Sequence, residues 1–124
     1  MTIAEAIQSI NTLMPNSYSE TEKIDWLSRL DGLVKREIID THEGYESVTF
    51  DGYTSSTETS TELLVPAPYD EMYIYWLESK INYHNLEYNK YNNSVEMFNT
   101  CYKNYANYYN RIHMPLPANI KYFG

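Results

Sequence analysis

SETEKIDWLSRLDGLVKREIID, residues 19–40, sets the class of this chain. Ser19 and Glu22 stand three apart, the reciprocal pairing by which a helix start satisfies two of its orphan N–H groups. Behind them Ile24, Leu27, Leu30, Val34 and Ile38 recur every three or four positions. That is the 3.6-residue period of a helix with one apolar face, and it predicts a helix ending near Asp40. Gly32 inside it costs about 1 kcal/mol relative to alanine, too little to break the stripe.

Upstream, Thr2 and Glu5 repeat the capping pattern. Ile3, Ile7 and Ile10 share a face, and Pro15-Asn16 follows, so a first helix is expected from Ile3 to Leu13. Downstream, the period vanishes over residues 41–67. Ser47-Val48-Thr49-Phe50 is strand-like, Asp51-Gly52 is a turn dipeptide, and Thr61-Glu62-Leu63-Leu64-Val65 reads as extended before Pro66. Residues 54–61 are nearly all Ser and Thr; they bury too little to offset their ordering entropy, so mobility is expected there. Phe50, Tyr53, Leu63, Leu64 and Val65, by contrast, require something to pack against. Inserts of this length are usually functional or disordered.

Pro68 is expected to open a third helix, with Asp70 and Glu71 in its first turn favouring the dipole. Tyr69, Met72, Tyr73, Trp76, Tyr83 and Leu86 fall on one face of it. Ile74, Leu77, Ile81 and Tyr88 fall on another, leaving Glu71, Glu78, Asn82, Asn85 and Asn89 as the polar strip. So wide an apolar arc fits a central helix buried on two sides, or one shared between the core and a neighbouring subunit. A fourth helix is expected from near Asn93, capped with Glu96. Its apolar arc runs through Val95, Met97, Phe98, Cys101, Tyr102, Tyr105, Tyr108, Tyr109 and Ile112, and Pro115 lies past its end. Phe98, Cys101, Tyr105 and Ile112 should meet the third helix near Trp76 or Ile81. The expected architecture is all-α: a small antiparallel bundle around a long central helix, spanning residues 1–114 with the insert at 41–67. Residues 115–124 form an extended, proline-stiffened tail.

Composition narrows the function. Seventeen acids against nine bases give a net charge of -8 in 124 residues, which argues against general nucleic-acid binding. Mean hydropathy of -0.57 and the lack of a long apolar run argue against a membrane span. Cys101, the single cysteine, cannot pair within the chain. The residues after Met1 lack the basic and apolar regions of a signal peptide, so the chain is expected in a reducing compartment. Fourteen tyrosines, ten of them between Tyr69 and Tyr109, lean toward an interaction protein, because tyrosine combines contact area with a polar tip.

No constellation speaks for catalysis. Glycine-rich phosphate loops, HExxH and the EF-hand pattern are absent from the sequence. His42, near Asp40 and Glu43 at a helix end, is more simply a cap than a metal ligand. His84 with Glu87 lacks a second ligand pair, and His113 falls in a last helical turn. Cys101 lies in an apolar stripe, and Asp70-Glu71 suits a first turn. Tyrosine stripes can stack bases or sugars, but helical spacing favours packing. Neither enzyme activity, metal nor cofactor is expected.

Three stretches carry a family likeness: Glu62-Leu63-Leu64-Val65-Pro66-Ala67-Pro68-Tyr69-Asp70-Glu71-Met72-Tyr73, then Tyr88-Asn89-Lys90-Tyr91-Asn92-Asn93, then Arg111-Ile112-His113-Met114-Pro115. Together with His42-Glu43-Gly44 after the acidic second helix, they resemble the head–tail connector (adaptor) proteins of long-tailed double-stranded-DNA phages. The Ser/Thr stretch at 54–61 matches no part of that pattern. The resemblance implies an all-helical, non-catalytic virion protein, assembled in the host bacterial cytoplasm. It implies a ring of copies, twelvefold in the virion, docked beneath the portal protein. Such a ring extends the channel for passing DNA and receives a later head-completion or tail protein. Candidate subunit or portal contacts are Leu63, Leu64, Val65, Tyr69 and Tyr73 around the insert, and Ile120, Tyr122 and Phe123 in the tail. The competing reading is a small cytoplasmic helical regulatory or binding protein acting without a ring.

Overall fold

In the computed structural model, which describes residues 1–117, helix α1 spans Ile3–Leu13. All four N–H groups at its start are satisfied, two of them by its own capping box. Glu5 N–H donates to Thr2 Oγ1 at 3.1 Å, and Thr2 N–H donates to Glu5 Oε1 at 2.8 Å. The other two come from far along the chain: Ile3 N–H donates to the Thr61 carbonyl at 3.1 Å and Ala4 N–H to that of Thr59 at 2.9 Å. The stretch expected to be mobile therefore serves as a cap. Exposed helix-end donors need acceptors, and peptide carbonyls of Ser/Thr-rich chain serve as well as any.

Helix α2 spans Glu20–Val34 from an N-cap at Ser19, and continues through a π-helical turn, Lys35–Ile39. Asp40 N–H closes that turn on the Lys35 carbonyl at 2.8 Å. A wider turn rotates the chain less per residue, so the consecutive Ile38 and Ile39 both reach the core together with Val34. The whole stripe from Ile24 to Ile38 is buried, as its period predicts.

The insert forms no strand among the described residues. Tyr45–Ser47 is a 3-10 turn, and only isolated antiparallel bridges occur, Thr2 with Glu62 and His42 with Pro115. Neither expected strand-like stretch pairs into a sheet: Ser47 belongs to the 3-10 turn, and Leu64–Val65 bends where it is held by α2 and α3. Gly52 has φ +90°, and an added Cβ would sit 3.4 Å from Ser28 Oγ, the atom that accepts from Tyr53 N–H.

Helix α3 is Glu71–His84 and α4 is Tyr88–Ile112. Pro68 does not open α3: it follows a cis peptide bond in the turn before it, and the helix starts three residues later. The α3–α4 boundary also differs from expectation, falling at Asn85–Glu87. Leu86 takes a left-handed backbone, φ 61°. Its N–H donates to the Tyr83 carbonyl at 3.1 Å, and Glu87 N–H reaches the Asn82 carbonyl at 2.9 Å. These are the paired bonds of a Schellman helix stop. Nothing signals it because the residue is leucine rather than glycine.

The two helices run antiparallel, with Tyr69 beside Tyr108, Trp76 beside Phe98 and Tyr83 beside Tyr91. The central helix is α3 and the longest is α4, so centrality and length belong to different elements. Met72, Tyr73, Leu77 and Ile81 of α3 are buried. Asn82, expected on the polar strip, is buried as well, donating to Ser94 Oγ at 3.1 Å. Tyr83, Leu86 and Tyr88 lie at the exposed α3–α4 corner, where Tyr83 touches only the rings of His84, Tyr88 and Tyr91 among the aromatic side chains. Ile112, expected against α3, is 52% exposed, since α4 outruns its partner. The result is the expected small all-α bundle.

Candidate interface site

One buried carboxylate organises the surroundings of the expected contacts. Asp31, fully buried on α2, accepts from the hydroxyls of Tyr53 at 2.5 Å and Tyr73 at 2.6 Å, and from Leu64 N–H at 3.0 Å. Tyr73 oxygen in turn accepts from Val65 N–H at 2.8 Å. Burial holds the Asp31 carboxyl above its usual range, partly offset by hydrogen bonds from the two tyrosines and Leu64. Burial, then the Asp31 charge, pushes both tyrosine hydroxyls upward, so they stay protonated donors. The clamp fixes the insert at Tyr53 and at Leu64–Val65, against α2 and α3 together.

Outside this clamp lies an open groove of about 270 Å³ between the insert and the last turns of α4. Leu64 and Pro66 form one wall; Tyr105, Tyr108 and Ile112 form the other. Tyr69 lies alongside, its ring centroid 4.9 Å from that of Tyr108. Burial pushes the Tyr105 hydroxyl up to about 12. The floor is closed by a knot at the exit of α4. His42 Nδ1 lies 2.5 Å from the Ile38 carbonyl and Nε2 lies 2.5 Å from Asn110 Oδ1. Its ring meets Tyr109 edge-on, and the His113 ring stacks on the same tyrosine at 4.0 Å between centroids. Glu43 N–H donates to the Met114 carbonyl and Leu116 N–H to that of Thr41. His42 is therefore a helix-end cap that also anchors the departing chain.

The expected contact residues divide cleanly. Leu63, Val65 and Tyr73 are core residues of this chain and offer no surface to another. Leu64 and Tyr69 are partly exposed at the groove. Ile120, Tyr122 and Phe123 lie outside the described residues. Sequence reasoning missed Asp31, although its position on the same helical face as Leu27 and Val34 carried the signal.

Little here resembles a reaction centre. Cys101 is half-buried, and burial followed by the Glu71 charge pushes its thiol up, away from the reactive thiolate. Among the described residues no group of three His, Cys, Asp or Glu is placed to hold a metal ion, and no helix is long and apolar enough to cross a membrane. Of the pieces that carried the family likeness, Leu64 and Pro66 line the groove and His42–Glu43 pairs with Met114–Pro115, whereas Tyr88–Asn93 lies at the opposite end of α4 beside Tyr83. No protein family, curated protein or solved structure matches this chain.

Proposed function

We propose that this chain is a head–tail connector subunit of a long-tailed double-stranded-DNA phage. Copies form a ring, twelvefold in the virion, beneath the portal protein, extending the DNA channel and receiving a head-completion or tail protein. The observation that carries the reading is the tyrosine-walled groove beside the point where the chain leaves the bundle. Tyr69 and Tyr108, half-covered by their own fold over the buried Tyr105, suit contact with a second chain. Net charge supports the same reading, since -8 per subunit lets phosphate backbone slide past without adhering. The same reading assigns Ile120, Tyr122 and Phe123 to contact with the portal or a neighbouring copy.

Co-purification with a portal ring tests the proposal. The full chain is expected to bind the ring, and a chain lacking residues 118–124 is expected to keep its melting temperature and lose that binding. A full chain that remains a single small species in the presence of portal rings would overturn it.

A further inference from the structure

A second surface departs from the charge of the rest of the chain. Of nine lysines and arginines, three line one groove of about 370 Å³ between α2 and α3: Arg29, Arg36 and Lys80, beside Leu33 and Trp76. No carboxylate lines it. Lys80 Nζ sits 4.3 Å from the centre of the Trp76 ring. Arg29 engages Asp25 through Nε at 2.9 Å, both side chains being largely exposed. The other ion pairs among the described residues belong to Met1, Lys35 and Lys90, so Arg36 and Lys80 hold their charges without one. Burial and the neighbouring Arg29 charge both press Lys80 toward losing its proton. Cations gathered in this way repel one another until an anion joins them.

The same chain carries a matching shape. Glu43-Gly44-Tyr45-Glu46 is an exposed turn set by Gly44 at φ 85°. It presents two carboxylates without ion partners among the described residues, on either side of a tyrosine that is 36% exposed. Lys35, ion-paired with Asp40, has its Nζ 6.0 Å from the centre of that ring and 3.5 Å from the Tyr45 carbonyl.

We propose that the Glu43–Glu46 turn of one copy docks into the Arg29–Arg36–Lys80 groove of the next. Tyr45 then lies on Leu33 and Trp76, while the two carboxylates meet the cations. Groove and turn are different patches, so the contact is head-to-tail, the kind that closes into a ring. This rests on the ring reading above and supplies one of its subunit contacts. A nucleic acid fits less well, because three cations neutralise few phosphates and the chain as a whole repels a polyanion. Repulsion between two copies is screened over about 8 Å at physiological salt, whereas partly buried charges in contact are screened much less and weaken only at higher salt.

Intermolecular paramagnetic relaxation tests the contact even when it is weak. A nitroxide placed by Thr49→Cys on a Cys101→Ser chain is mixed with ¹⁵N-labelled, label-free chain at about 1 mM protein and about 50 mM salt. Signals from residues 29–36 and 76–80 are expected to broaden, and to recover at about 500 mM salt. Arg36→Glu with Lys80→Glu in the ¹⁵N chain should abolish the broadening. Adding Glu43→Lys with Glu46→Lys to the labelled chain should restore it, an outcome that a general loss of folding cannot mimic. Broadening confined elsewhere, or none at all, overturns this contact; the connector reading is judged separately by portal binding. Groove signals that shift with a short DNA strand at lower concentration than with a second copy also overturn it.

Discussion

The Tyr73 hydroxyl donates to Asp31 Oδ1 at 2.6 Å, joining positions 42 apart in the sequence. Around that bond α2, α3 and two points of the insert, Tyr53 at its middle and Leu64 near its end, converge on one carboxylate. A charge so deeply buried persists because each of its oxygens is supplied with donors; without them it would be a liability.

Asp31→Ala should therefore be severe. It strands two tyrosine hydroxyls and one backbone N–H, each worth about 1–3 kcal/mol when left unsatisfied, so a loss of about 3 kcal/mol or more is expected. Asp31→Asn keeps an acceptor oxygen and should lose less. Urea denaturation reads both, and a loss below about 1 kcal/mol for the alanine variant would show the clamp to be dispensable.

The same group sets a pH dependence. Its folded value lies above the ordinary 3.8, so the native chain binds that proton more tightly than the unfolded chain does. Its stabilising contribution is complete below the unfolded value and is lost as pH rises through the folded one. Stability measured from about pH 3 to about pH 7 should shift in favour of Asp31→Asn relative to the natural chain. Other acids, including Glu5 with its lowered value, cancel in that difference. Parallel curves for the two proteins would contradict the assignment.

Leu86→Gly should stabilise the protein. Leucine bears a left-handed conformation that glycine adopts freely, and its side chain is 69% exposed, so little burial is given up. A gain of about 0.5–1 kcal/mol is expected in thermal or urea unfolding, with unchanged helix content. A loss would mean that the leucine side chain holds the turn.

Along α4 the cost of truncation should follow burial rather than position on the helical wheel. Tyr105, 3% exposed and packed among Tyr69 and Tyr109, should cost about 3–5 kcal/mol when changed to alanine. Phe98, only partly covered against Trp76, should cost about half that. Equal losses would place Phe98 in the core.

Helices α1 and α2 were legible because caps and stripes are local signals, and each begins where its capping residues predict. The α3–α4 stop was not, because a Schellman turn at leucine leaves no mark in composition. At residues 54–61 the capping of α1 comes from the backbone carbonyls of Thr59 and Thr61, which side-chain identity does not report. Of the residues named as contacts, Leu64 and Tyr69 border the groove, while the wall formed by Tyr105, Tyr108 and Ile112 was read as helix packing. A residue's share between core and surface depends on where helices end, and the sequence encodes that only indirectly.

A loop held independently at both ends can lengthen between them. Tyr53 is fixed by Ser28 and Asp31, and Thr59 by the first turn of α1, leaving residues 54–58 as a tip with both stems anchored. Splicing an epitope of about ten residues between Ser55 and Ser56 enlarges a closed loop at a cost of about 1 kcal/mol. The molecule thus contains an address for a visible marker, placed without disturbing the bundle.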